Sequence, residues 1–211
     1  MKIWNGPHDD AWDLAQQDLA ERGLTDGLPV IPPTAQRVAT MLRGSGLDAD
    51  AVLAVLPPAY AEVTWRDIAV NAVMAGCAPA YLPVVGAAIA AISAPEFNLL
   101  GIATTTGSAT VCVIVNGPIA HEISMNSGSN AFGPGNRANA TIGRAVRLTL
   151  QNAGGARAGE IDMATLGQPG KYTFCFAENE VQSPWDPLHV GRGFSREASV
   201  VTVVGVSGTI E

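Results

Sequence analysis

The stretch Ala109-Thr110-Val111-Cys112-Val113-Ile114-Val115 decides the fold class. It is a continuous apolar, β-branched run with no alternation, which suits a central strand covered on both faces. Asn116-Gly117-Pro118 closes it with a turn signal. Further strands are expected at 99–103, 172–177 and 199–206. The last, Ser199-Val200-Val201-Thr202-Val203-Val204-Gly205-Val206, must lie inside the sheet or form an edge awaiting a partner. Between the strands, 136–150 has a helical pattern closed by 152–155.

On the N-terminal side the character is helical. Residues 9–21 place Trp12, Ala15 and Leu19 on one face, with Gly23 as a stop. Prolines in 25–34 favour an extended path, and Thr34 can cap a helix over 35–42. A short strand at 52–56 stops at Pro57-Pro58. Thr64 can cap a helix over 65–77 that is apolar around more than half its circumference and therefore buried. Pro83 opens another over 84–92, so two Ala-rich helices form a packed hairpin. The expectation is a single α/β (or α+β) domain of 211 residues, a mixed sheet with buried Ala-rich helices, its helical half ending near 94 and its mixed half beginning near 95.

Composition narrows the function. A hydrophobic share of 47% is ample for a core, and a charged share of 15% is low enough to suggest that part of the surface is covered by another subunit. A net charge of −7 without a basic patch argues against nucleic acid. The N-terminus has no signal-peptide pattern, and no run approaches the roughly 18 apolar residues of a membrane span. Three widely spaced cysteines, Cys77, Cys112 and Cys175, make no disulfide framework and point to a reducing cytoplasm.

The richest candidate site is Asn126-Ser-Gly-Ser-Asn-Ala-Phe-Gly-Pro-Gly-Asn-Arg-Ala-Asn-Ala-Thr-Ile-Gly143. Glycines allow close backbone approach, and the stretch feeds a helix N-terminus with free N–H groups and a positive dipole end. Arg137 in that first turn is electrostatically misplaced unless an anion offsets it. Asn126, Ser127, Asn130, Asn136, Arg137, Asn139 and Arg144 are therefore candidate ligands for a small organic anion, with Thr141 as a further donor. The other reading is a structural loop with Arg137 paired to a carboxylate such as Glu122. The spacing matches neither the P-loop nor the dinucleotide fingerprint. Thr104-Thr105-Thr106-Gly107-Ser108 could present the hydroxyls of Thr105 and Thr106 to the same ligand, or be a plain hairpin loop.

Alternation over 171–177 places Lys171 and Cys175 on one face, where an ammonium would favour the thiolate. With Glu178 at the strand end and His189 beyond it, these four residues form a candidate catalytic kit. A buried, inert Cys175 is the competing reading; Cys77, at a helix end, is a weaker thiol candidate, and Cys112 reads as structural. His121, Glu122, Glu178, Glu180 and His189 form no closed metal set, and His8 with Asp9 and Asp10 reads as a solvated helix start. No residue pattern names a cofactor.

Three segments carry a family resemblance: Asp26-Gly-Leu-Pro-Val-Ile-Pro-Pro-Thr34, Gly133-Pro-Gly-Asn-Arg-Ala-Asn-Ala-Thr-Ile-Gly143 and Gly167-Gln-Pro-Gly-Lys-Tyr-Thr-Phe-Cys-Phe-Ala-Glu-Asn-Glu180. They resemble a group of bacterial proteins of unassigned function that accompany small UGSC-type thiol or selenol proteins, which end in Cys-Gly-Ser-Cys or its selenocysteine equivalent. The likeness spans most of the chain from about Asp26 onward. It implies a redox-active thiol or selenol partner rather than an activity, since this chain has no Cys-Gly-Ser-Cys of its own. Three functions remain open: an enzyme or enzyme subunit (of lyase or oxidoreductase type) acting on a small anion with thiol chemistry; a non-catalytic assembly subunit of a homo- or hetero-oligomer; and a metal-dependent hydrolase or lyase using His121, Glu122 and Glu178.

Overall fold

The computed structural model describes residues 10–43 and 45–210. Its elements are α1 (Asp10–Glu21), α2 (Ala35–Leu42), a hairpin of β1 (Val52–Leu56) and β2 (Ala61–Thr64), α3 (Trp65–Ala75), α4 (Leu82–Ile92), α5 (Leu99–Ala103), β3 (Thr110–Asn116), α6 (Pro118–Glu122), α7 (Arg137–Asn152), β4 (Cys175–Ala177), α8 (Leu188–Gly191) and β5 (Val200–Val206). His8 and Asp9, read as part of a helix start, lie outside the described residues.

The decisive strand is central. β3 pairs in parallel with β4 and antiparallel with β5, in the order β4-β3-β5, which makes the sheet mixed and the fold α/β. Alternation then sets the faces. Val111, Val113 and Val115, with Cys175 and Ala177 of β4, enter the core; Val201 and Val203 of β5 pack against it half-buried. Helices α4 and α7 lie on that face, and α3 lies against both of them. The helices approach closely because two positions lack a side chain. At Gly86 of α4 a Cβ would fall within the ring of Trp65. At Gly143 of α7 it would strike Thr173 Oγ1 and come within 2.7 Å of the Phe174 amide.

Local chemistry fixes the helix ends. Thr64 and Asp67 form a reciprocal capping box at α3, which Gly76 ends in a left-handed conformation at φ 92°. Thr34 caps α2 through the Arg37 N–H, and Asn136 caps α7 through the Asn139 N–H. Pro83 sits in the first turn of α4, as expected.

Two expected strands are corrected. Residues 99–103 form helix α5: Leu99 and Ala103, one helical turn apart, are its buried residues, and no strand lies beside them. A short apolar run does not distinguish strand from helix by periodicity. The strand expected over 172–177 shrinks to Cys175–Ala177, because Pro169–Lys171 winds into a 3-10 turn closed by the Lys171 and Tyr172 amides. The alternation argument that joined Lys171 to Cys175 therefore fails. No helix of the described residues is long and apolar enough to cross a membrane.

Candidate functional site

The Asn/Gly-rich loop spends its polar groups on itself. Asn126 accepts from Gly128 N–H and donates to Ser129 O; Asn130 donates to Pro134 O; Asn136 donates to Ser124 O. Asn139, 3% exposed, receives the Asn126 N–H and donates to Asn126 O and Ala131 O. These bonds build a rigid Asx-rich turn. Ser127 takes part in no such bond among the described residues. Phe132 anchors the loop edge-on against Phe174 and Phe176.

Arg137 has a partner that its local sequence hides. Its Nε donates at 3.0 Å to Gly76 O, the carbonyl at the C-terminus of α3. A cation belongs at that negative dipole end, so α3 offsets the electrostatic misfit at α7, and Glu122 is not the partner of Arg137. Thr141 turns back onto Arg137 O. Arg144 makes a two-bond ion pair with Asp26 at 2.7 and 2.8 Å and donates to Leu28 O and Pro29 O, with both side chains largely buried. It clamps the proline-rich segment onto α7. Thr105 closes its own turn through Gly107 N–H, and the carbonyl of Thr106 receives Thr165.

Lys171 lies elsewhere than expected. Its ammonium is 2.9 Å from both oxygens of Asp162, and Arg147 donates to the same carboxylate at 3.1 Å. Asp162 is 4% exposed at its side chain, and its two cations are 15% and 14% exposed. Burial pulls the Arg147 guanidinium below its usual value, against the opposing pull of Asp162 and Asp26. This triad forms a wall of a cleft of about 730 Å³ between the end of α7 and the 157–172 segment. Arg157, Glu160, Gln151, Gln168, Tyr172 and Leu166 also line it. The Arg157 guanidinium has no hydrogen-bond or ion-pair partner among the described residues. Leu166 is 94% exposed and Tyr172 is 49% exposed. Arg147, Arg157 and Asp162 carried no signal in the sequence beyond their charge: they come together only when α7 meets a loop that has no regular pattern.

The three thiols are free and buried. Burial pushes Cys77 up to about 12 and Cys112 up to about 11, and raises Cys175 well above the usual thiol range. No cation touches Cys175. Cys77 donates to Thr141 O. Because its folded value lies above the ordinary 9.0, the neutral thiol stabilises the fold below pH 9.0, and stability declines as pH rises from there toward 12. Relative to a Cys77→Ala variant, the wild type is expected to lose on the order of 1 kcal/mol more per pH unit above that threshold. Urea midpoints at several alkaline pH values check this; parallel pH profiles for the two proteins would refute it.

Glu178 and His189 lie in one neighbourhood at the carboxyl ends of the parallel strands β3 and β4, where the carboxylate nearer the histidine is Glu180. Asn116, which sequence reasoning treated only as a turn residue, donates through Nδ2 to Glu178 at 2.5 Å and to Glu180 at 2.8 Å. Gly117 N–H also binds Glu180, and Leu188 N–H binds Glu178. His189 is fully buried, with Nδ1 3.9 Å from Glu180 and Nε2 3.4 Å from Arg196 O. Its Nδ1 and Asn116 Oδ1 have no hydrogen-bond partner. These bonds tie the 178–199 excursion back to the end of β3. Among the described residues no group of three or more His, Cys, Asp or Glu could hold a metal; His121 and Glu122 are exposed on α6.

No family model matches this chain, nor does any curated protein or solved structure.

Proposed function

We propose that this protein binds a small organic anion in the cleft between α7 and the 157–172 segment, as the substrate site of an enzyme or enzyme subunit. The observation that carries the reading is the charge arrangement. Arg147 and Lys171 share the single carboxylate of Asp162, and the Arg157 guanidinium beside them has no partner among the described residues. Asp26, on the same rim, is neutralised by Arg144. With Glu160 also on the lining, Arg147, Arg157 and Lys171 face two carboxylates, Asp162 and Glu160, so in a chain of net charge −7 this cleft carries one cation more than its carboxylates balance. Its volume falls in the range of small-molecule sites, and Tyr172 and Leu166 offer apolar contact beside the charge.

The site therefore moves from the Asn/Gly loop, whose asparagine side chains bond within the loop and to its neighbours, to the far end of the same helix. Lys171 keeps a binding role, as one of the two cations on Asp162. Cys175 has none here, since its thiol is buried and distant in kind from an activated nucleophile. The three free cysteines support a reducing compartment, for which the cytoplasm is the simplest case.

Calorimetric titration with a panel of carboxylates, phosphate esters and sulfate esters tests the reading. Arg157→Ala is expected to weaken the best binder by about 10- to 100-fold, the usual worth of a hydrogen bond to a charged group. Cys175→Ser is expected to leave affinity unchanged. A panel without binders, or an Arg157→Ala protein of undiminished affinity, would refute the anion site.

A further inference from the structure

We propose that β5 and α4 together form a two-fold interface with a second copy of this chain, joining two sheets into one continuous six-stranded sheet. β5 is an edge: β3 occupies one side, and no strand of the described residues occupies the other. Every residue of Val200–Val206 is at least partly exposed, whereas β3 is buried almost throughout. Proteins protect such edges with lysine, proline, bulges or a covering element. β5 has none of the first three: it reads Val-Val-Thr-Val-Val-Gly-Val and pairs with β3 in unbroken register.

α4 makes an independent case for the same side. Its sequence, Leu-Pro-Val-Val-Gly-Ala-Ala-Ile-Ala-Ala-Ile, contains no polar side chain. A helix apolar on all sides belongs inside a protein. α4 packs mainly on β5 and α7 on β4, so within the helix layer α7 flanks α4 on the side away from the β5 edge, and α3 and β1 also lie against α4. Its open side therefore faces the β5 edge, and there Pro83 and Ala87 are exposed and Ala90 and Ala91 half-exposed.

The occupant follows from charge, area and layer order. Neither element carries an ionisable group, so opposing each with its own copy sets no like charges together. In an antiparallel pair, directly opposed residues share a face. Centred on Val203, the pairing sets Val201 against Gly205 and Thr202 against Val204, and the core face of one sheet continues into the core face of the other. The helix layer then meets its own copy across the same axis. A strand of this length spans roughly 23 Å, and strand, layer spacing and helix together add a depth of roughly 25 Å. That footprint is of the order of the ~800 Å² per partner found in stable dimers.

The full chain is examined by native mass spectrometry and sedimentation from about 1 to 100 µM, a range that spans ordinary dimer affinities. The expected result is a mass of two chains. Val204→Glu and Ala87→Glu, both at exposed positions, place like charges across the axis. Each is expected to raise the dissociation constant at least about tenfold while the monomer keeps its far-ultraviolet dichroism and Tm. A wild type that stays monomeric at about 100 µM, or an assembly that either variant leaves intact, overturns the proposal.

Discussion

An Asp162→Ala variant is expected to lose about 3–5 kcal/mol of folding stability, the cost of stranding buried charge. The reason is that one carboxylate serves two cations. Lys171 lies 2.9 Å from both its oxygens and Arg147 lies 3.1 Å from one, with all three side chains largely shielded from water. Without the carboxylate, two cations face each other across a half-closed cleft. The expected fall in Tm is roughly 6–20 °C for a domain of this size. A second readout ties the variant to the proposed site. Added phosphate or a small carboxylate is expected to recover more Tm in Asp162→Ala than in wild type, because the anion takes the vacated place. A Tm within a degree or so of wild type would refute the energetic role. Equal recovery by anions in both proteins would count against the cleft as an anion site.

Arg144→Met is the second large effect. It leaves Asp26, whose side chain is 6% exposed, without its two-bond partner, and removes the donor to Leu28 O and Pro29 O. The expected loss is again about 3–5 kcal/mol, since an uncompensated buried carboxylate is costly. Replacing both partners by apolar residues, Arg144→Met with Asp26→Leu, is expected to restore much of that loss. Chemical denaturation of the single and double variants measures the coupling. A double variant no more stable than the single would mean that the clamp acts through the carbonyl contacts rather than through the ion pair.

Much of the candidate chemistry was legible as residue type but not as partnership. Arg137 shows why. Its position in a helix first turn is visible in sequence, and so is the electrostatic misfit that called for a negative partner. That partner is the C-terminal carbonyl of α3, 61 residues earlier, and a carbonyl made negative by its helix has no letter in the sequence. Lys171 and Cys175 fail for the opposite reason. The alternation that paired them assumed a strand, and Pro169 with Gly170 made a 3-10 turn that sent the ammonium to Asp162. Asp162 itself lies in an irregular segment with no periodicity to read. Glu178 and His189 were visible as polar residues following one strand, but the amide of Asn116 that joins Glu178 to Glu180 comes from the end of another strand.

The sequence by itself determined what short-range physics controls. The unbroken apolar run of β3 demanded cover on both faces; Thr34, Thr64 and Asn136 marked helix starts; and the proline-rich 25–34 segment forbade a helix. Tertiary structure decided which edge β5 would take, how residues 99–103 would wind, and which cation would meet which carboxylate. Caps and periodicity act over a few residues and are written in neighbouring letters. Strand order and buried ion pairs depend on which surfaces remain to be covered once the helices have packed.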